Sequence, residues 1–266
     1  MVLRIISWNS NGHNKDKISP IHTLNFDILC IQETHTEIDI KYENHNTYCA
    51  NYTTNSRGVA TIINKKIHVI ENICDEQGRY VITKIKINKK LINIINVYFP
   101  SDNLNNKKQF CEELFSILLN QKCTNNNLMV GDFNLQPTQL ITTINKSSLK
   151  QFNLQLIKKA NNSKKYTYHK KEIKTNIDHM LVSADLSPLI NDTFVISKEI
   201  SDHYPIENRL MVEFDHYINT KVKIEPNFIK NEVHSSQLFN IITKNKCWLQ
   251  LKMELFQYFV DNHKHT

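Results

Sequence analysis

The chain of 266 residues has six cysteines and no C-x-x-C pair among them. No histidine spacing beside Cys30, Cys49, Cys74, Cys111, Cys123 or Cys247 suggests a zinc site. Reduced thiols inside a cell fit this pattern better than a disulfide framework. No apolar window approaches the ~20 residues of a membrane span. The N-terminus runs straight into Leu3-Arg4-Ile5-Ile6-Ser7-Trp8, with no stretch suited to a signal peptide. The expectation is a soluble intracellular protein with no membrane partner. Glycine (4) and proline (6) are scarce, whereas Asn, Ile and Lys abound. That bias reads as AT-rich coding sequence, a property of the genome rather than of the chemistry. No internal repeat is visible.

What is present points elsewhere. A hydrophobic content of 40% over this length can bury one domain plus an appendage. The net charge of +7 and a pI near 9.0 suit a polyanionic partner such as nucleic acid, although a basic protein needs no such partner.

Short runs rich in Ile and Val recur at 3–8, 27–32, 58–63, 67–71, 80–87, 91–98, 128–132, 177–182, 193–197 and 206–213. Alternation is clearest in Val81-Ile82-Thr83-Lys84-Ile85-Lys86-Ile87, the pattern of a half-exposed strand. A helical period appears at 107–120, where Phe110, Leu114, Ile117 and Leu118 share a face, and a second helix is expected over 147–159. Many strands with few helices predict an α/β sandwich of two packed sheets with helices outside. A doubly wound parallel sheet is the lesser alternative, because 80–87 and 91–98 read as an antiparallel hairpin. This domain spans 1–213. The extension 214–266 is polar and irregular except for an amphipathic helix at about 247–262, where Trp248, Leu251, Leu255 and Phe259 form a stripe. Docking on the body is the plain reading of that helix, and a protein partner the alternative.

Four polar clusters end apolar runs: Trp8-Asn9-Ser10-Asn11-Gly12, Gln32-Glu33-Thr34-His35, Gly131-Asp132-Phe133-Asn134 and Ser201-Asp202-His203-Tyr204-Pro205. Loops held by a rigid sheet are where catalytic groups usually sit. Glu33 follows a run too continuous for a surface strand, and a carboxylate there needs a partner or a metal. Oxygen ligands with few protein contacts suit Mg²⁺, with Asn9 and Asp202 as companions of Glu33 and with Mn²⁺ as the substitute ion. Either companion could instead cap a turn. Asp132 and Asn134, two apart in an extended segment, would project to one side, the alternative being an Asx-turn after a buried strand. There Asp132 can activate water and Asn134 can hold phosphate. Asp178, an acid inside an apolar strand, can orient His203 and raise its pKa, so that a cationic imidazole faces the scissile phosphate. By alternation His179 faces away. Tyr98 ends another strand, within reach of a phosphate or of the core. Seven lysines against one glutamate over 158–174, interleaved with Tyr166, Tyr168 and His169, suit a nucleic-acid contact or a solvated loop.

At these residues the chain resembles the endonuclease/exonuclease/phosphatase superfamily of metal-dependent phosphodiesterases, which includes DNase I and the apurinic endonucleases. The run of W-N-x-N-G, Q-E-T-H, N-V-Y-x-P, G-D-F-N, I-D-H-M-L-V-S and S-D-H-x-P-I is similar above all to the endonuclease domain of LINE-type retrotransposons. The resemblance implies a four-layer α/β/β/α sandwich. It implies Glu33 as main metal ligand with Asn9 and Asp202, Asp132 as activator of water, and Asn134 and Tyr98 as phosphate contacts. His203 oriented by Asp178 would stabilise the transition state. Asn11, Thr167, Tyr168, Lys165 and Lys170 would face DNA. Asn11 stands where cellular apurinic endonucleases carry Asp, which argues against strong abasic-site specificity. A further departure is Gln139-Leu140-Ile141, where an aspartate is expected beyond G-D-F-N. The expectation is therefore a Mg²⁺-dependent endonuclease that nicks duplex DNA to 3′-hydroxyl and 5′-phosphate ends, at work in the nucleus, or in the cytoplasm if viral. Alternatives are a tyrosyl-DNA phosphodiesterase, an RNA exonuclease, an inositol or lipid phosphatase, or an inactive nucleic-acid-binding module.

Overall fold

The computed structural model describes residues 2–13, 23–88, 90–144, 151–161, 166–197 and 201–212. The extension from 214 onward, with its expected helix at 247–262, lies outside the described residues, as does Lys165.

Fourteen strands are present: β1 (Val2–Asn9), β2 (Ile28–Gln32), β3 (His45–Ala50), β4 (Val59–Asn64), β5 (His68–Cys74), β6 (Tyr80–Ile87), β7 (Lys90–Tyr98), β8 (Asn127–Asp132), β9 (Leu154–Leu156), β10 (Tyr168–Lys170), β11 (Ile173–Thr175), β12 (Asp178–Ser183), β13 (Phe194–Val195) and β14 (Ile206–Met211). Two helices lie wholly among the described residues, α1 (Leu104–Asn120) and α2 (Pro137–Thr143). One six-stranded sheet runs β13-β14-β1-β2-β4-β3 and the other β5-β6-β7-β8-β12-β9, with β10-β11 a separate two-stranded ribbon. The β1–β2 and β7–β8 pairs are parallel and the rest antiparallel, including the expected β6–β7 hairpin. The chain is thus an α/β sandwich of the expected class, not a doubly wound sheet.

Strand alternation assigns the layers. Leu3, Ile5, Ile28, Cys30 and Ile63 of the first sheet meet Ile92, Ile94, Leu128, Val130, Met180 and Val182 of the second in one buried core. The opposite residues of the second sheet, including Ile95, Val97, Met129 and Leu181, pack under Phe110, Leu114, Phe115 and Leu118 of α1 and Leu140 of α2. Ile6, Trp8, Leu29, Ile31 and Ile62 on the outer face of the first sheet are covered by Leu24, Phe26, Ile40 and Tyr42.

Local signals set the boundaries. Helix α1 begins before the apolar period does, because the Asn103 side chain accepts from the Asn106 amide at 3.0 Å and caps it. The helix expected over 147–159 stops early: residues 151–152 are helical, Asn153 takes a left-handed φ of 50°, and Leu154–Leu156 is strand β9, paired with Leu181–Ser183, while 147–150 lie outside the described residues. Leu154 and Leu156 alternate about the exposed Gln155 as a strand requires, and so short an apolar run fits either period. At the departure from the familial aspartate, Gln139 Oε1 accepts from the Gln136 amide at 3.1 Å and Pro137 starts α2, so the segment is a capped helical turn. Gly131 has φ +149° in β8, and a Cβ there would lie 1.9 Å from the Val97 carbonyl oxygen. Only glycine lets β8 approach β7 closely at the residue before Asp132.

Candidate active site

Both sheets deliver polar residues to the same edge of the sandwich. From the first come Asn9 at the end of β1, Glu33 just beyond β2, and Asp202 and His203 just before β14. From the second come Tyr98 at the end of β7, Asp132 at the end of β8 and Asp178 at the start of β12. The four clusters therefore converge.

Asn9, fully buried, is the hub. Its Nδ2 donates to Glu33 Oε1 and to Asp132 Oδ2, both at 2.8 Å. Its Oδ1 accepts from the Asn11 amide at 3.0 Å, which fixes the orientation of the carboxamide. Asn9 thus turns its nitrogen, not its oxygen, toward the carboxylates. In this arrangement Asn9 holds Glu33 and Asp132 together. Asn11, at φ 45°, donates from Nδ2 to Asp202 Oδ1 at 3.1 Å, tying Asp202 to the same turn. Glu33 is also left-handed (φ 51°), and its Oε2 lies 3.2 Å from His35 Nε2. The Trp8 indole donates to Ser201 Oγ at 3.1 Å and Ser201 Oγ donates to the Asn9 carbonyl at 2.8 Å, so the loop carrying His203 is fastened to β1.

His203 sits between two acids. Its Nδ1 lies 3.1 and 3.0 Å from the two oxygens of Asp178, and its Nε2 lies 3.9 Å from Asp132 Oδ2. All three residues are buried. Burial alone would push the imidazole pKa down, but the charge and hydrogen bond of Asp178, with Asp132 and Asp202 nearby, raise it to about 9. Burial and then the Asp178 charge push Asp132 up to about 7, against the pull of His203 and of hydrogen bonds from the Asn134 backbone and Asn9. His179 does face away: its Nε2 lies 2.8 Å from the Leu135 carbonyl oxygen, within hydrogen-bond reach.

Asn134 departs from the extended geometry expected of it. It is left-handed (φ 50°), its amide donates to Asp132 Oδ1 at 2.8 Å, and its Nδ2 donates to the Phe99 carbonyl at 3.0 Å. A short Asx turn, rather than strand alternation, sets its position. Tyr98 is buried, hydrogen-bonded to Glu33, and its hydroxyl pKa is raised by burial first and by the charges of Glu33 and Asp132. Thr167, expected to face DNA, is buried instead, with its Oγ1 accepting from the Ile177 and Asp178 amides at 3.1 and 3.2 Å. It steadies the strand that presents Asp178. The Tyr168 ring lies 4.8 Å from the His203 ring, a wall of the site rather than a free stacking platform. Lys170 is exposed at the ribbon's end.

Residues 6–203 match the model of the endonuclease/exonuclease/phosphatase family. The chain belongs to that family. Solved structures of similar fold include an AP endonuclease, LMAP, from Leishmania major (TM-score 0.68, 15% identity, covering 80% of this chain and 88% of that one). The endonuclease domain of TRAS1, a telomere-specific non-LTR retrotransposon, superposes with a TM-score of 0.63 at 14% identity, over 80% of this chain and all of that domain. A 3′-5′ exonuclease, NExo, from Neisseria meningitidis gives 0.62 at 19%, over 79% and 100%. At these identities the superpositions show the fold alone.

Glu33 and Asp202 supply carboxylate oxygens, the donor type that a hard divalent cation takes. The Glu33 side chain is 21% exposed, with Oε1 held by Asn9, Oε2 3.2 Å from His35 Nε2 and the Tyr98 hydroxyl against the carboxylate, so its exposed part is the side a cation would approach. One ligand atom each from Asp132, Asp178 and His203 lies within a tighter 4.8 Å group. Within that trio Nδ1 is hydrogen-bonded to Asp178 while Nε2 stands 3.9 Å from Asp132 Oδ2, so His203 is engaged on one side, which fits proton chemistry better than a cation. Some contributors had no legible signal. Lys107 donating to the Asn134 carbonyl at 3.0 Å and Arg79 with its guanidinium 4.9 Å from the Tyr98 ring centre both depend on tertiary placement, whereas His35, against Glu33, stood in the Gln32–His35 cluster.

Proposed function

We propose that the chain is a divalent-metal-dependent endonuclease that cuts phosphodiester bonds of duplex DNA, leaving 3′-hydroxyl and 5′-phosphate ends. The observation that carries this reading is the buried Asp178–His203 pair aimed at Asp132, set beside Glu33 through the Asn9 bridge. Mg²⁺, or Mn²⁺ in its place, would be held by Glu33 and Asp202 and would draw off negative charge from the phosphate. Asp132, with Oδ2 pointing into the site, orients a water and takes its proton. The cationic His203 donates toward a phosphate oxygen and offsets the charge that develops there. Asn134 keeps one Nδ2 proton beyond its bond to Phe99, and with the Tyr98 hydroxyl it can position phosphate.

Duplex DNA is favoured by the basic surroundings. Lys170, Lys171 and Lys174 lie on or beside the ribbon whose Tyr168 walls the site. The groove of about 310 Å³ on the Tyr98 side balances Arg57 and Arg79 with Asp75, Asp102 and Glu113, so the basic surface is the ribbon's. Cations so placed follow a phosphate backbone. The test is turnover with Mg²⁺ on supercoiled plasmid, RNA and a 5′-tyrosyl oligonucleotide. Relaxed circles whose nicks a polymerase extends directly are expected. Faster turnover of RNA or of the tyrosyl oligonucleotide would replace the DNA endonuclease reading with that phosphoesterase activity.

A further inference from the structure

The inter-sheet face of the sandwich changes character one step before the active site. Along β2 the inward positions run Ile28, Cys30, Gln32, and along β7 they run Ile92, Ile94, Asn96, then Tyr98. Along β1 they run Leu3, Ile5, Ser7, then Asn9, and along β4 Ile63 gives way to Thr61. Strand alternation puts these residues on one face. A tier of amides and hydroxyls therefore lies between the apolar core and the residues that form the site.

This tier is hydrogen-bonded across the two sheets. Gln32 Nε2 of the first sheet donates to Asn96 Oδ1 of the second at 2.7 Å and to Ser7 Oγ at 3.0 Å. Asn96 Nδ2 reaches back to the Ala60 carbonyl at 2.9 Å and to Thr61 Oγ1 at 3.3 Å. Gln32, Asn96 and Thr61 are fully buried and Ser7 almost so. Two buried carboxamides cost desolvation that a Leu or Val pair would not, so their yield is direction rather than raw stability. The hydrophobic drive that holds the sheets together is non-directional and scales with area, so it favours no particular pair of atoms. A short amide bond of fixed reach does.

Position gives that restraint a purpose. Gln32 immediately precedes Glu33, whose left-handed backbone makes its carboxylate direction depend on where β2 ends. Asn96 is two residues before Tyr98, the hydroxyl of which meets Glu33. The Glu33–Asn9–Asp132 bridge spans the same seam one step further out. We propose that Gln32 and Asn96 are positioning residues, a cross-sheet bolt that sets Glu33 of one sheet against Tyr98 and Asp132 of the other. The proposal rests on the reading of Glu33 as the cation's carboxylate.

The test exchanges one methylene across the bolt. Q32N shortens the link, N96Q lengthens it, and Q32N/N96Q restores the summed reach with the same groups. Mn²⁺ alone is titrated onto the full chain and followed by the EPR signal of the free ion, with metal-free melting recorded in parallel. Loss of a supporting contact of this kind weakens metal binding by about 10–100-fold. The expected result is at least a tenfold weaker Mn²⁺ affinity in Q32N and in N96Q, regained in the double exchange, with no matching order in melting temperature. Wild-type Mn²⁺ affinity in Q32N, whatever its melting temperature, would overturn the proposal, as would a double exchange no better than either single change. A wild-type chain that takes up no Mn²⁺ sinks the metal reading and the bolt with it, a pattern distinct from the other two.

Discussion

Asp178→Asn removes one charge from the site while leaving its shape nearly intact. In the wild-type chain both Asp178 oxygens lie about 3 Å from His203 Nδ1, and the imidazole titrates at about 9 although burial opposes its charge. At pH 7.5 such a group is about 97% protonated. An asparagine can still accept from Nδ1, but it contributes no negative charge, so burial becomes the dominant influence and the pKa falls to or below the ordinary value of about 6.5. At pH 7.5 the protonated fraction is then about 9% or less. If the cationic form is the one that works, phosphodiester cleavage drops at least tenfold at that pH. The loss shrinks as the pH is lowered toward 6. Two readouts check this: the His203 ring resonances by NMR, and the rate against pH for both proteins. A variant with His203 still titrating near 9, or a loss of rate that is constant across pH 6–8, would refute the claim that Asp178 acts by holding His203 charged.

Other consequences follow from the packing. Gly131→Ala places a methyl against the Val97 carbonyl and should cost about 1–3 kcal/mol in thermal unfolding, with cleavage reduced further because Asp132 is the next residue. Glu207 is set between Arg4 at 2.6 Å and Arg209 at 2.9 Å; burial would raise its pKa, but these partners win and hold it below the usual carboxylate range. A depressed pKa contributes stability above the unfolded value of about 4.5 that is lost as pH falls below it. Glu207→Gln should therefore lower the melting temperature at pH 7 and flatten its decline between pH 5 and 3. Thr167→Val keeps the shape but removes the acceptor for the Ile177 and Asp178 amides; a cost of about 1–2 kcal/mol and a broadened His203 signal are expected, and an unperturbed His203 would place Thr167 outside the site's support.

The fold was legible where one apolar period was long or one face consistently buried. Strands β1, β6, β7 and β12 show in the sequence because each sends Ile or Val into a core on at least one side. Strand β3 does not, since His45–Ala50 is an edge strand whose side chains are mostly half-exposed. The ribbon β10–β11 is hidden among lysines, because three-residue strands held by main-chain pairing need no apolar pattern. At the site, residue types and order were enough to bring Glu33, Asp132, Asp178 and His203 together. The sequence did not reveal which atom of Asn9 faces the carboxylates, or that Thr167 turns inward. Both are decided by backbone donors, the amides of Asn11 and Asp178, whose directions exist only in the folded chain.

The central claim, that His203 and a divalent cation together cleave DNA, is tested most directly by nicking of supercoiled plasmid. Wild-type protein and His203→Ala are compared with Mg²⁺ and with EDTA. The account predicts relaxed circles from the wild type with Mg²⁺ only, and at least a hundredfold slower nicking by the variant. Equal nicking by His203→Ala, or nicking by the wild type in EDTA, would contradict it.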